Sequence, residues 1–252
     1  MQQNDPRLEV IILSFKDPRV LNAIESVKQF DDLGIVSLLI IDGGSDGELV
    51  SRIEAAVGEQ GRVISERDNG IFDGLNKGLN LVTAEFIGWL GSDDFYAPDF
   101  KVSQLLPHLE KNDIVVGNLA HFSGGKISRI SYSWPAGKGL VKWGFNNPHF
   151  STFGKAALLK AHSFKEDSPV SDIEYFLRVF EQAVSVKAIP RIFVYAEEGG
   201  FSNSSPMKII KLNLILAHIY SRFLPKGLFI ICLKVIYKLV TKFTCIRGCV
   251  PV

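Results

Sequence analysis

Residues 65–96 read SERDNGIFDGLNKGLNLVTAEFIGWLGSDDFY. Within this stretch Phe86 to Leu90 is short, apolar and rich in large side chains, and it stops at Gly91-Ser92, which predicts a buried strand followed by a turn. Asp93 and Asp94 then stand side by side at the strand's carboxyl end. In open α/β sheets ligands bind in the crevice beyond the strand ends, and a hard divalent cation there takes oxygen ligands and shares them with substrate phosphates. Taken alone, Ser92-Asp93-Asp94 is more simply a solvated turn that caps a helix. Upstream, Ile71 to Leu81 carries a helical pattern that sets Asp73 and Lys77 four residues apart on one face, with Glu66, Asp68 and Asn76 close by in sequence. A surface ion pair is the plain account of that spacing.

Working outward, Leu8 to Ser14 (LEVIILS) is a β-rich run followed by a loop with Pro18 and a helical pattern from Val20 to Gln29, which predicts a β-α opening. Val36 to Asp42 is a second apolar run. It ends in Asp42-Gly43-Gly44-Ser45-Asp46-Gly47, a turn about 50 residues ahead of the acidic pair whose glycines allow backbone to approach a ligand closely.

The whole arrangement resembles the family 2 glycosyltransferases, in particular small bacterial polysaccharide enzymes of the colanic-acid type. Their pattern is close to S-E-x-D-x-G-I-Y-D-A-x-N-K-G-x-x-x-A-x-G-E-x-I-x-x-L-x-S-D-D; here Phe72 stands for the Tyr, Gly74 for the Ala and Ala84 for the Gly. Asp42 to Gly47 looks like the family's D-G-G-S-x-D-G-T turn, Asn147 to Phe153 like its H-x-x-x-F element and Ser171 to Arg178 like its S-D-y-x-l-x-L-R element. Glu198-Gly199-Gly200-Phe201-Ser202 looks like its closing G-G-x-S loop. The resemblance covers about residues 6 to 205 and is thin between His121 and Phe145, a region that shapes the acceptor site in the family.

The resemblance implies a GT-A α/β fold over residues 1–205, a mostly parallel sheet with helices on both faces, and metal-dependent, inverting transfer of a hexosyl or N-acetylhexosaminyl group. The donor would be a nucleotide-sugar, with uridine as its nucleoside, and the acceptor a saccharide or a polyprenyl-diphosphate-linked sugar in surface polysaccharide synthesis. Ser14, Asp42, Glu66, Asp68, Asp73, Lys77 and Asp93 are implied as donor-binding residues, and Asp94 and His149 as ligands of Mg²⁺ or Mn²⁺. The family's D-x-D motif has Ser92 at its first position here, which singles out Asp94. Asp172 is implied as the general base, with Glu174 its nearest rival, although Asp172 also precedes a periodic apolar run and suits an N-cap. No serine or cysteine nucleophile beside a base suggests a covalent intermediate. Two other functions share these features: a catalytically silent nucleotide-sugar binder that recruits partners at a membrane, and a nucleotidyltransferase that would release pyrophosphate.

At 252 residues and 46% hydrophobic content the chain can bury one sizeable α/β core. The net charge of +1 hides an asymmetry. From Pro206 onward there are eight Lys and Arg and no Asp or Glu, leaving 20 basic against 27 acidic residues before it. Residues 206–252 are expected to form a basic, amphipathic helical tail. On a helical wheel Lys226, Lys234, Lys238 and Lys242 share one half, while Leu228, Phe229, Ile231, Cys232, Val235, Ile236 and Leu239 make up the rest. The apolar run Leu228 to Leu233 falls short of the roughly 18 residues of a spanning helix. Such a helix suits an anionic membrane surface, packing on the catalytic domain, or a homodimer contact. Cys232, Cys245 and Cys249 are odd in number and lack the spacing of a disulfide framework or zinc site. The N-terminus has no secretory pattern. The expected location is therefore cytoplasmic and peripheral on the inner membrane, and an acidic main domain disfavours nucleic acid as a partner.

Overall fold

The computed structural model of the chain describes residues 6–134 and 147–197. The expected basic tail, the 205/206 boundary and the 198–202 loop lie outside the described residues. Among the described residues nine strands form one sheet: β1 (Leu8–Ser14), β2 (Val36–Asp42), β3 (Gly61–Ser65), β4 (Phe86–Leu90), β5 (Asp94–Tyr96), β6 (Ile114–Ser123), β7 (Lys126–Ser131), β8 (Thr152–Lys155) and β9 (Val186–Glu197). Six α-helices connect them: α1 (Val20–Lys28), α2 (Gly47–Val57), α3 (Ile71–Leu81), α4 (Val102–Lys111), α5 (Ala156–Lys160) and α6 (Ser171–Gln182). The strand order is β3-β2-β1-β4-β8-β6-β9-β5, with β7 paired to β6.

The sheet is mixed. β3, β2, β1 and β4 run parallel, as do β6 and β9, whereas β8 is antiparallel to both its neighbours, β5 to β9, and β7 to β6. The parallel character expected from the sequence thus belongs mainly to the first half of the chain, where β-α-β crossovers place helices on the faces. β1 shows why its sequence is almost wholly apolar. Leu8, Val10 and Ile12 enter a core under α1, α2 and α4, while Ile11 enters a second core under α3, α5 and α6. Glu9 interrupts the run at 1% exposure, and Arg62 and the Thr83 amide donate to its two oxygens at 2.9 Å.

Close contact between helix and sheet depends on small residues in α3. A Cβ on Gly78 would stand 2.8 Å from Ile11 Cγ2, so α3 lies on β1 more closely than any larger residue permits. α2 starts where Asp46 accepts a 2.9 Å hydrogen bond from the Leu49 amide, an N-cap supplied by the turn after β2. Both arrangements fix the carboxyl ends of β1, β2 and β4 at one edge of the fold.

Candidate active site

The turn after β2 is built around Asp42. Its carboxylate is fully buried and accepts four hydrogen bonds, from the Gly44 and Ser45 amides (3.1 and 2.8 Å) and the Ser45 and Ser65 hydroxyls (2.6 and 2.8 Å). Burial pushes the acid up, but the Ser45 and Ser65 donors outweigh it and hold Asp42 below the usual carboxylate range. Asp42 therefore shapes the turn from within. Ser14, at 5% exposure, ends β1 beside it.

Gly43 faces Asp68. A Cβ there would sit 2.6 Å from Asp68 Oδ2, and one on Gly74 would sit 3.3 Å from the same atom, so the two glycines leave the space that the Asp68 carboxylate occupies. Asp68 Oδ1 accepts from the Gly70 amide at 3.0 Å. Nearby, Lys77 Nζ lies 3.0 Å from Glu66 and 3.5 Å from Asp73, and donates to the Arg67 carbonyl at 3.2 Å. Asp73 Oδ2 accepts from the Asn69 amide at 2.9 Å. The structure thus gathers Ser14, Asp42, Glu66, Asp68, Asp73 and Lys77 around the ends of β1, β2 and β3. Asn76 belongs elsewhere: its amide bonds both backbone groups of Phe164, tying α3 to the segment before α6.

Phe15 was absent from the sequence-based set. It is 58% exposed just past β1, with Lys16 Nζ 5.1 Å from its ring centroid. Lys16 adopts a left-handed φ of 52°, and its amide donates to Ser45 Oγ at 2.7 Å, which ties the aromatic residue to the Asp42 turn. The available signal was an aromatic residue one place beyond a strand end that already looked functional.

After β4, the two aspartates separate in environment. Asp94 opens β5 at 4% exposure, whereas the Asp93 side chain keeps 26% and lies 3.9 Å from Arg19. Burial first, and the charge of Asp93 second, push Asp94 up to about 7. Arg19 is itself held by Asp17 at 2.7 Å and by Glu197, and Ser92 Oγ donates to Asp17 at 3.0 Å. A Cβ on Gly91 would meet Asp94 Oδ2 at 3.0 Å and Asp93 Oδ1 at 3.1 Å, so both carboxylates close over the position of a missing side chain.

Among the described residues no group of three or more His, Cys, Asp or Glu is placed to hold a metal ion by itself. A cation that binds through one or two carboxylates and completes its shell with substrate phosphate needs no such group. The convergence of two carboxylate oxygens over Gly91 fits that kind of ion. The sequence singled out Asp94 as the direct ligand. Its burial makes it the inner member of the pair, with Asp93 the member facing outward.

Asp172 lies in the first turn of α6, whose N-cap position is Val170, so it does not cap the helix. Its carboxylate keeps 39% exposure and stands 3.2 Å from His149 Nδ1. Burial raises this acid, but the hydrogen bond and charge of His149 win and keep it below the usual range. His149, expected beside the cation, is thus engaged with the expected base. Its ring stacks on Phe176 at 4.7 Å, and Phe176 meets Trp89 of β4 edge-on at 6.2 Å, which joins the pair to the strand that leads to the acidic turn. Glu174 is 3.4 Å from Lys165 Nζ at 17% exposure, which leaves Asp172 the more accessible of the two acids.

Residues 9–164 match the family described as glycosyl transferase family 2. The chain belongs to that family. This family 2 glycosyltransferase is 26% identical, over 217 residues, to the PGL/p-HBAD biosynthesis glycosyltransferases of Mycobacterium bovis (strain BCG / Pasteur 1173P2) and Mycobacterium tuberculosis (strain ATCC 25618 / H37Rv), covering 79% of this chain and 80% of each relative. Its GT-A fold is shared with S. aureus TarS 1–349 in complex with UDP-GlcNAc, at a TM-score of 0.66 and 14% identity over 84% of this chain. It is shared too with the mannosyltransferase PcManGT from Pyrobaculum calidifontis in complex with GDP-Man and Mn²⁺, at a TM-score of 0.57 and 15% identity over 85% of this chain. The chain spans 65% and 63% of those two solved chains.

Proposed function

We propose that this glycosyltransferase moves a sugar from a nucleotide-sugar, with uridine diphosphate the favoured carrier, to a saccharide or lipid-linked acceptor in one inverting displacement. The observation that carries the reading is the joining of two acidic centres by one aromatic stack. The Asp93-Asp94 turn follows β4, and Trp89 of β4 packs through Phe176 against the His149–Asp172 pair. Ligands of relatives with the same fold, UDP-GlcNAc on TarS and GDP-Man with Mn²⁺ on PcManGT, support the donor class and the cation.

In this reading Phe15 offers its exposed face to the base, and Asp68, Asp73, Glu66 and Lys77 meet polar groups of the nucleoside and its phosphates, with Asp42 and Ser14 holding the turn beneath. Asp93 and Asp94 would hold Mg²⁺ or Mn²⁺, which when bound offsets negative charge on the diphosphate. The acceptor hydroxyl oxygen forms a bond to the anomeric carbon as that carbon's bond to the diphosphate breaks. The hydroxyl proton goes to the Asp172 carboxylate, and a nucleoside diphosphate leaves. His149 positions that carboxylate. Because Asp172 stays ionised at neutral pH, the base is ready before the acceptor arrives. A basic tail at the membrane's cytoplasmic face, or one that mediates a homodimer, belongs to the same proposal; among the described residues no helix is long and apolar enough to cross a membrane.

Thermal-shift screening of UDP-, GDP- and dTDP-sugars with and without Mn²⁺ tests the donor and the cation together, since a ligand selective for the native state raises the midpoint. A shift that needs both components supports the reading. If no nucleotide-sugar raises the midpoint under either condition, the reading fails.

A further inference from the structure

Arg19 stands at the N-cap position of α1 beside the acidic turn, with Nη2 3.9 Å from Asp93 Oδ2. Two other acids hold it, and they hold it differently. Asp17 accepts from the Arg19 amide and Nε through Oδ1, both at 3.0 Å, and from Nη2 at 2.7 Å and the Ser92 hydroxyl at 3.0 Å through Oδ2. Donors on both oxygens make Asp17 a fixed anchor for the guanidinium plane. Among the described residues the Glu197 carboxylate accepts from Arg19 Nη1 alone, and its side chain is 43% exposed against 19% for Asp17. Glu197 is therefore the partner that another anion can replace. It ends β9, one residue beyond Ala196, which pairs with Asp94 across the β5–β9 ladder, so it reaches Arg19 from beside the same turn.

We propose that Arg19 binds the diphosphate of the donor and that Glu197 holds the place of that anion until it arrives. A guanidinium carries five N–H donors in a rigid fork. Here Nε–H and one N–H of Nη2 go to Asp17, and one N–H of Nη1 goes to Glu197. Each terminal nitrogen keeps a further N–H, so adjacent donors remain for phosphate oxygens, and another is freed when Glu197 leaves. Exchange also avoids crowding of like charge. A diphosphate added beside Asp17, Asp93 and Glu197 would meet three carboxylates around one cation, whereas one that displaces Glu197 takes over an existing ion pair. That the anion is a nucleoside diphosphate rests on the transfer reading above.

Isothermal titration of the full chain with UDP, GDP, their nucleosides and inorganic pyrophosphate, in EDTA and again in Mn²⁺, tests the exchange on wild type, Arg19→Ala and Glu197→Gln. Arg19→Ala should weaken the nucleoside diphosphate that wild type binds by about ten- to a hundredfold in both conditions, and leave its nucleoside within about twofold. Glu197→Gln should tighten the same nucleotide and pyrophosphate by about two- to fivefold, because the competing side chain has lost its charge. The opposite signs separate ligand binding from scaffolding. If Arg19 only braces the end of β9, both variants loosen one contact and weaken the nucleotide alike. Glu197→Gln keeps Arg19 and its Asp17 anchor, so the expected tightening remains a test even if Arg19→Ala loses stability. Nucleotide binding unchanged in Arg19→Ala, or unchanged or weakened in Glu197→Gln, overturns the proposal and leaves the transfer reading intact. Pyrophosphate that responds to both variants with these signs, in a wild type that takes neither nucleotide, supports the exchange and removes the transfer reading. A wild type that binds neither nucleotide nor pyrophosphate overturns both.

Discussion

Gly43→Ala separates the donor site from the stability of the fold. The new Cβ would stand 2.6 Å from Asp68 Oδ2, 3.0 Å from its Cγ and 3.2 Å from Oδ1. Restoring ordinary contact requires the carboxylate to retreat by roughly 1 Å. That carboxylate ends a flexible, partly exposed side chain, so the strain is small, about 1 kcal/mol or less, and alanine offsets about 0.4–1 kcal/mol of it by restricting the unfolded chain. The thermal midpoint should therefore barely move. If Asp68 holds the nucleoside through a charge-assisted hydrogen bond, its displacement loses about 1.5–3 kcal/mol of donor binding, or roughly ten- to a hundredfold in donor KM. Release of nucleoside diphosphate at varied donor concentration measures that loss, and differential scanning calorimetry measures the midpoint. Gly78→Ala is the control. Its Cβ would press on Ile11 Cγ2 at 2.8 Å in the core, an overpacking that costs about 1–3 kcal/mol of stability and has no selective effect on the donor. An unchanged donor KM in Gly43→Ala would refute the placement of Asp68 at the donor, and a midpoint loss as large as that of the control would refute the geometric argument.

Asp172→Asn should keep donor binding and lower transfer by about 10²- to 10⁴-fold, read as kcat with donor KM unchanged; full turnover would move the base to Glu174 or elsewhere. Asp93→Ala should abolish the Mn²⁺-dependent part of the nucleotide-sugar thermal shift and lower transfer at least about a hundredfold, and a retained Mn²⁺ response would leave Asp94 as the sufficient ligand. Asp42→Asn should destabilise the protein by about 1–3 kcal/mol at pH 7, because an amide cannot accept all the donors that converge there. Asp42 has a depressed folded pKa, so its contribution is complete above the unfolded value of about 4 and is lost as pH falls through the lower folded value. Urea unfolding of both proteins should thus show the gap closing only below about pH 4, and a gap constant from pH 7 to pH 3 would count against the hydrogen-bond account.

The elements that flank the site were legible in the sequence because each carries a clear apolar run or helical period, and those of Val36–Asp42 and Phe86–Leu90 end in glycine and aspartate turns. Leu8–Ser14, Val36–Asp42, Phe86–Leu90 and Ile71–Leu81 were read with the boundaries the structure shows. The antiparallel half was not. β8 has only four residues, and β9 contains Pro190 and a burial pattern without clean alternation, so neither carries a period-2 signal. At the site, residue types were easier to read than partners. His149 and Asp172 are 23 positions apart and meet only through the packing of Phe176 on the sheet. The inward turn of Asp42 rests on Ser65 of a neighbouring strand, and no local spacing announces that bond.

The way Asp42 is held also bears on how the protein ages. Aspartyl-glycine bonds isomerise when the glycine nitrogen attacks a protonated aspartyl carboxyl to give a succinimide. At 42–43 the acid is kept ionised by its donors, and the Gly43 amide is turned to the Ser14 carbonyl at 2.8 Å. The Gly70 amide is also engaged, with Asp68 Oδ1 at 3.0 Å, but Asn69-Gly70 lacks the burial: both residues are exposed at the entry to α3. Chemical wear in stored enzyme should accumulate first at residue 69, within one position of Asp68, while the 42–43 bond keeps its covalent form.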